Sequence, residues 1–351
     1  MLLVLIMAGV IWGAGAMTGA PRSMRLTMLA VLYVAVLVLQ LIFPDAHPLR
    51  QATGGSAAPW LLLGGFAVMI YAYRAGLRVL RGRVARRDET RKDDNKTAAP
   101  KFSETELNRY ARHIVLRELG GPGQKALKEA RVLVVGAGGL GAPALQYLAA
   151  AGVGVIGVID DDIVENANLQ RQVIHKDASI GKPKVFSAQA EMEAQNPYVT
   201  VRPYHRRLTG DIAETLLAEY DLVLDGTDNF NTRYLVNTAA VKQKIPLVSG
   251  ALSQWEGQLS VFDPSNGAPC YRCVFPQAPE PGLAPSCAEA GVVGPLPGVI
   301  GAMMALEAVK LITGAGKPLR GQMLIYDGLY GESRMIAITR RADCPDCGGS
   351  L

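Results

Sequence analysis

The stretch RVLVVGAGGLGAPALQYLAAAG, residues 131–152, constrains the fold more than any other part of the sequence. An apolar run that ends at Val135 is typical of a buried strand, and Gly136, Gly138 and Gly141 follow it in the spacing Gly-x-Gly-x-x-Gly. The first glycine allows a tight turn, the second lets the backbone approach a phosphate, and the third lets a helix pack on the strand. The start of that helix adds free N–H groups and a positive dipole. The motif predicts a nucleotide-binding α/β unit, and a glycine turn without a ligand stays open as the alternative.

Strand and helix patterns alternate from this motif to about residue 250, which predicts a Rossmann-like, doubly wound, mostly parallel sheet. Upstream, Ser103 and Glu106 stand at capping-box spacing and predict the start of a helix. The alternation ends near 253. GQLSVFD (257–263) and QMLIYDG (322–328) read as strands joined by a long segment, so we expect a C-terminal antiparallel extension.

Charged residues follow the second strand. That strand ends in Asp160, Asp161 and Asp162, and one of these carboxylates is placed to meet a ribose, which leaves NAD open as the nucleotide. Arg171, Lys182 and Lys184 follow within 25 residues, and this pattern fits NAD poorly, because a hydride site needs no extra cations. A reaction that expels pyrophosphate does need them, since negative charge grows on the leaving oxygens. An ordinary solvated loop is the alternative.

The segment DLVLDGTDN places Asp225 and Asp228 at the carboxyl end of a central strand, where ligands bind in this architecture. A carboxylate beside a triphosphate and cationic side chains predicts a Mg²⁺ ligand, and Asp228 is our candidate. The alternative for Asp225 is that it caps a turn.

Four of the five cysteines form two Cys-x-x-Cys hooks, Cys270 with Cys273 and Cys344 with Cys347. Two such hooks predict a closed, structural Zn²⁺ site with four thiolates, and a redox disulfide in one hook is the alternative. Cys287 lies in a segment rich in proline and glycine, where it is either a nucleophile or an ordinary loop cysteine. The histidines show no metal-ligand spacing and are assigned no role.

The first 80 residues are far more apolar than the rest. Charge-free stretches at 2–19, 26–43 and 58–73, the last of which stays apolar past Arg74, predict three transmembrane helices at about 2–19, 26–43 and 58–76. Arg22 and Arg25 in the first loop, and a basic run after the third helix, predict that the N-terminus lies outside and the α/β domain in the cytoplasm, at a multi-pass cytoplasmic (inner) membrane. A cleaved signal peptide at 1–20 and a soluble helical bundle are the alternatives.

The predicted domains are therefore a membrane region at 1–80, a charged linker at 81–101 and an α/β domain at 102–351. Most of the net charge of +5 lies in the basic run at 74–96, so the α/β domain shows no nucleic-acid-binding footprint. Cysteines this sparse indicate a reducing compartment rather than a disulfide framework.

Seven short motifs occur in one order: RYARHIVL, GAGGLG, NLQRQ, GKPK, DGTDN, CYRC and CPDC. With them, residues 102–349 resemble the HesA/MoeB/ThiF family of adenylyltransferases, and most of all its molybdopterin-synthase adenylyltransferases. The resemblance implies that ATP binds at the glycine turn. The C-terminal glycine of a ubiquitin-like sulfur carrier, the small subunit of molybdopterin synthase or a thiamine-pathway carrier, then attacks the α-phosphate. An acyl-adenylate forms and pyrophosphate leaves.

The family's roles carry over to matching positions of this sequence. The resemblance implies that ATP and its metal are bound by Gly136, Gly138, Gly139, Gly141, Asp160, Asp162, Asn168, Arg171, Gln172, Lys184, Asp228 and Asn229. It implies catalytic roles for Arg112, Arg171, Lys184, Asp228 and Cys287. Arg112 matches an arginine that reaches the partner subunit's ATP site, which implies a homodimer.

Two features depart from the family pattern. The N-terminal spans are not part of it and predict a membrane-tethered enzyme. No sulfurtransferase domain follows Cys347, so we expect a separate protein to donate the sulfur. Three alternatives remain: an NAD-dependent oxidoreductase, a non-catalytic membrane-anchored scaffold for ubiquitin-like proteins, and activation of another substrate such as a peptide C-terminus.

Overall fold

The chain forms two compact units, Met1–Ala99 and Pro100–Leu351. The computed structural model describes residues 2–66, 69, 73, 102–280 and 290–348. The predicted linker at 81–101, most of the third predicted span beyond residue 66, and Cys287 lie outside these described residues.

The first unit contains helices at Leu2–Met17, Arg22–Ile42 and Pro48–Ala52, and residues 58–66 are also helical. Arg22–Ile42 has 21 residues, an 18-residue window with a mean hydropathy of 2.2 and a largely exposed apolar surface, so it is long and apolar enough to cross a membrane. Leu2–Met17 is more apolar still but has only 16 residues. Of the three predicted spans, that at 26–43 is the one that coincides with a full-length candidate helix among the described residues.

The described strands of the second unit form one eight-stranded sheet in the order β3-β2-β1-β4-β5-β6-β7-β8. The five strands from β3 to β5 are parallel, and β6, β7 and β8 extend the sheet in antiparallel pairs, which confirms the predicted mixed α/β architecture. Their bounds are β1 Arg131–Val135, β2 Val155–Ile159, β3 Thr200–Tyr204, β4 Leu222–Asp225, β5 Leu247–Leu252, β6 Glu256–Phe262, β7 Gln322–Asp327 and β8 Glu332–Ala337.

Helices cover both faces of the sheet, because alternate strand residues point to opposite sides. In β1, Val132 and Val134 join one apolar cluster, whereas Leu133 and Val135 join the other. The helices of this unit are Glu104–Arg109, Ala111–Ile114, Gly120–Glu129, Gly141–Ala151, Lys184–Gln195, Gly210–Leu217, Phe230–Gln243, Tyr271–Val274 and Pro295–Thr313.

Two details bear on the sequence predictions. Ser103 caps the first of these helices, with its hydroxyl accepting from the Glu106 N–H and the Glu106 carboxylate accepting from the Ser103 N–H, so the predicted capping box is confirmed. Pro295–Thr313 also has the length and hydropathy of a membrane span, but it packs on Gly141–Ala151 and on β5, and is therefore a core helix of this unit.

Candidate functional site

A cleft of about 1200 Å³ opens at the carboxyl ends of β1, β2 and β4. In the order β3-β2-β1-β4-β5, the chain reverses direction across the sheet between β1 and β4, which is where doubly wound sheets bind ligands. The glycine turn that follows β1 forms its floor. Gly136 has a φ of +93°, and a Cβ at Gly141 would lie 1.9 Å from the Gly136 carbonyl oxygen, so both positions require glycine for the turn itself.

Gly138 differs from its two partners. Among the described residues, a Cβ there would meet only the Gln172 amide nitrogen, at 3.7 Å. The fold therefore does not need glycine at this position. A ligand that lies close to the backbone would need it, because a side chain would occupy the same space.

Eleven of the twelve predicted nucleotide-binding residues line the cleft: Gly136, Gly138, Gly139, Asp160, Asp162, Asn168, Arg171, Gln172, Lys184, Asp228 and Asn229. Gly141 lies behind the turn, where it packs against Gly136. Arg112 is exposed on the short helix Ala111–Ile114 and does not line the cleft of its own chain.

The Asp160 carboxylate holds the glycine turn to the end of β2. One of its oxygens accepts from the Ala137 N–H at 2.7 Å, and the other accepts from the Asp162 N–H at 2.8 Å. These two bonds fix the direction of the carboxylate, which faces the cleft and keeps lone pairs for a ribose hydroxyl.

Cations converge on the same floor. Lys184 is buried, and its Nζ donates to an oxygen of the exposed Asp162 at 2.8 Å. Arg171 is half-buried and donates to the Ala167 carbonyl oxygen at 3.0 Å. Sequence reasoning missed Arg206 and Arg207, which line the rim, although their position directly after a strand beside β2 was a usable signal. The cleft thus offers several positive groups around a phosphate-sized loop.

Gln172 supports the presence of a ligand independently of charge. Its side chain is buried against the cleft, its Oε1 has no hydrogen-bond partner among the described residues, and its amide nitrogen faces Gly138. A buried polar atom without a partner costs about 1–3 kcal/mol. A polar ligand bound over the glycine turn could supply the missing hydrogen bond to the Gln172 side chain.

The loop after β4 carries the predicted Mg²⁺ ligand. Asp228 is exposed to the cleft, and the neighbouring Asn229 caps helix Phe230–Gln243 by accepting from the Thr232 N–H at 2.9 Å. The buried Asp225 accepts from the Thr227 N–H at 3.0 Å and from the Thr227 hydroxyl at 2.6 Å, so it does cap a turn. An exposed carboxylate facing cations and a glycine turn is a donor that suits Mg²⁺.

His175, to which sequence reasoning gave no role, is buried beside the glycine turn and hydrogen-bonds to its backbone. Its Nε2 donates to the Ala137 carbonyl oxygen at 3.0 Å, and its Nδ1 then accepts from the Ser187 hydroxyl at 3.0 Å. Burial lowers the pKa of the imidazole, and the charge of Lys184 lowers it further. A neutral histidine therefore holds the glycine turn.

The four hook cysteines meet in a separate buried cluster. Sγ–Sγ distances are 3.8 Å for Cys270 to Cys273, 3.5 Å for Cys270 to Cys344 and 3.4 Å for Cys273 to Cys347. Four thiolates bound to zinc at about 2.3 Å lie about 3.8 Å apart, so the spacing fits a tetrahedral Zn²⁺ site. Burial raises the pKa of the Cys270 thiol, which is why thiolates at this position require a cation.

Comparison with known proteins gives a consistent result. The sequence profile of the ThiF family matches residues 110–346. The chain is 51% identical over 252 residues to a sulfur carrier protein adenylyltransferase of Thermus thermophilus, covering 71% of this chain and 93% of that protein. It is 49% identical over 244 residues to a SAMP-activating enzyme E1 of Haloferax volcanii, covering 70% of this chain and 90% of that protein.

Among solved structures, the chain is similar to E. coli MccB in a crystal structure with ATP, with a TM-score of 0.60 and 24% identity over 70% of this chain and 76% of that one. At this identity the likeness shows a shared fold.

Proposed function

This chain belongs to the ThiF family, and we propose that it is an adenylyltransferase that uses ATP to activate the C-terminal glycine of a ubiquitin-like sulfur-carrier protein. The small subunit of molybdopterin synthase and a thiamine-pathway carrier are the two substrates we favour. The observation that carries the proposal is that Arg171, Lys184 and Asp228, which come from three different elements, line one cleft around the glycine turn.

In this reaction the carrier's terminal carboxylate attacks the α-phosphorus of ATP, a bond forms between them, and the bond to the β-phosphate oxygen breaks. Pyrophosphate leaves with both electrons of that bond. The attacking carboxylate is already a nucleophile, so the site has to orient two anions and neutralise charge rather than remove a proton.

Each cleft residue takes a role that suits its position. Gly138 and the helix start at Gly141 admit the phosphates, and Asp160 accepts from the ribose. Lys184 and Arg171 stabilise the charge that grows on the phosphate oxygens, with Asn168 and Gln172 as polar contacts beside them. Asp228 would hold Mg²⁺, which supplies charge neutralisation at the phosphates when it is bound, and Asn229 is a further nucleotide contact beside it.

The test is ATP–pyrophosphate exchange with purified candidate carriers added one at a time. We expect exchange that depends on a carrier. Arg171→Ala and Asp228→Ala are each expected to lower it by about 100- to 1000-fold, because each removes about 2.7–4 kcal/mol of charge stabilisation. Arg202→Ala is the matched control, since Arg202 pairs with the exposed Glu219 and does not line the cleft. Normal exchange in both cleft variants would refute these roles.

The partner proposals rest on exposure and family likeness. Arg112 is exposed, as an arginine that reaches into the cleft of a second copy of the chain must be, so we propose that the protein is a homodimer. A separate protein supplies the sulfur. Cys287 remains a proposed acceptor of the activated carrier, and it lies outside the described residues.

Two further proposals concern the rest of the chain. The four hook cysteines would hold a structural Zn²⁺ ion that joins the C-terminal segment to the segment around residue 270. Arg22–Ile42, with the apolar stretches on either side of it, would anchor the chain as a multi-pass protein in the cytoplasmic membrane, with its catalytic domain in the cytoplasm. Membrane fractionation of the full chain and of a variant lacking residues 1–80 tests the anchor.

A further inference from the structure

Arg233 is a buried cation that the proposed reaction does not use. It lies in the first turn of helix Phe230–Gln243 with 6% of its surface exposed, and its Nη1 is 3.6 Å from an oxygen of the fully buried Asp225. Burying such a pair is costly unless further hydrogen bonds satisfy the remaining donors. The hydrogen bonds of the guanidinium therefore show which segments Arg233 holds together.

The guanidinium joins the ends of β4 and β5 to the loop that connects β4 with helix Phe230–Gln243. Nη1 donates to the Ser249 hydroxyl at 3.1 Å, and Nη2 donates to the Gly250 carbonyl oxygen at 2.8 Å and to the Thr227 carbonyl oxygen. The β4–β5 ladder ends where Asp225 pairs with Ser249, so Gly250 lies beyond it. The Arg233 side chain thus donates to the Gly250 carbonyl oxygen in place of a backbone N–H of β4, which has already ended.

The loop Gly226–Asp228 is thereby fixed from several sides. Asp225 holds the N–H and the hydroxyl of Thr227, and Arg233 holds its carbonyl. The Gly226 N–H donates to the Val135 carbonyl oxygen at 3.0 Å, and a Cβ at Gly136 would lie 3.3 Å from the Gly226 oxygen. The loop therefore packs directly on the glycine turn, and Asp228 follows immediately.

We propose that Arg233 is a positioning residue that fixes the Asp228 carboxylate relative to the glycine turn and so sets the affinity of the cleft for its divalent cation. The inference rests on the proposed function of the cleft. A lysine cannot replace it, because one ammonium group on a flexible stem does not present the planar fork that reaches Ser249, Gly250 and Thr227 together.

The experiment is ATP–pyrophosphate exchange by the full chain at saturating ATP and carrier, with Mg²⁺ titrated. In Arg233→Lys we expect the half-saturating Mg²⁺ concentration to rise about tenfold, as when a group that orients a metal ligand is lost. We expect kcat to fall by up to about 100-fold, since an ångström of misplacement costs that much. The KM for ATP measured at saturating Mg²⁺ should stay close to wild type.

Arg320→Lys is the matched control. Arg320 donates to the buried Asp263 at 2.7 Å but does not line the cleft, so its loss should lower the melting temperature without shifting the Mg²⁺ titration. Ser249→Ala is a milder second variant that removes one acceptor of the guanidinium, and it should shift the titration in the same direction by a smaller factor.

The outcomes separate the two proposals. A folded Arg233→Lys with a wild-type Mg²⁺ titration overturns the positioning role and leaves the proposed function standing. If Arg233→Lys does not fold, a wild-type titration in Ser249→Ala overturns it instead. No exchange by the wild-type chain with any carrier overturns the proposed function, and the inference with it.

Discussion

Gly138→Ala separates what the fold requires from what a nucleotide requires. The backbone φ of Gly138 lies outside the left-handed region, and an added methyl would meet only the Gln172 amide nitrogen, at an ordinary contact distance of 3.7 Å. The free energy of unfolding should therefore change by no more than about 0.5 kcal/mol. The same methyl points into the space that we assign to the phosphates.

Overfilling a packed contact costs about 1–3 kcal/mol, so ATP should bind this variant roughly 5- to 150-fold more weakly. Calorimetric titration with ATP and Mg²⁺ measures the affinity, and thermal unfolding measures the stability. Gly141→Ala is the contrasting variant, because its methyl would lie 1.9 Å from the Gly136 oxygen and must distort the turn, so stability and binding should fall together. Gly121→Ala, which has open space outside the cleft, should lose neither. Wild-type affinity in a stable Gly138→Ala would show that the phosphates do not lie over the turn.

Three other results are expected. Elemental analysis should find about one zinc per chain, and Cys344→Ser should lower both the zinc content and the melting temperature, because the closed site needs four thiolates. In the folded protein the pKa of His175 is lowered. Below about pH 6.5 the unfolded chain therefore binds a proton at this residue more readily than the folded chain does, and the free energy of unfolding should fall as the pH drops. This slope should be smaller in His175→Gln, as chemical denaturation at a series of pH values would reveal. Washing membranes with alkaline carbonate should leave the full chain in the pellet and release a variant lacking residues 1–80, and release of both would refute the anchor.

The parts of the fold that follow from periodicity were predictable. The order of strands and helices around the glycine turn, and the strands at 257–263 and 322–328, are visible because alternate apolar residues face covered sides of the sheet. The strand Glu332–Ala337 was not predicted, because all of its residues are exposed in this unit and burial leaves no pattern in its sequence.

The residues of the site also fall into a group that the sequence predicts and a group that it does not. Residues at strand ends or in spaced motifs, such as Asp160, Asp228 and the two cysteine hooks, were identifiable from the sequence alone. Arg233 and His175 were not, because each is a single polar residue in a helix or loop whose burial is decided by packing from distant segments. Each donates to backbone carbonyl oxygens of the loops that line the cleft, and backbone partners leave no sequence motif.

The cysteine cluster and the cleft share one polar network. Asp346, within the second hook, accepts from the Asn237 amide at 2.7 Å and from the Thr238 hydroxyl at 3.1 Å, both on helix Phe230–Gln243. The side-chain oxygen of Asn237 accepts in turn from the N–H of Tyr271, which lies inside the first hook and lines the cleft. The helix that receives these bonds begins at Phe230, two residues after Asp228, and contains Arg233. Because these bonds tie both hooks to a helix beside the cleft, loss of the cysteine cluster should loosen a wall of the cleft as well as the C-terminal segment.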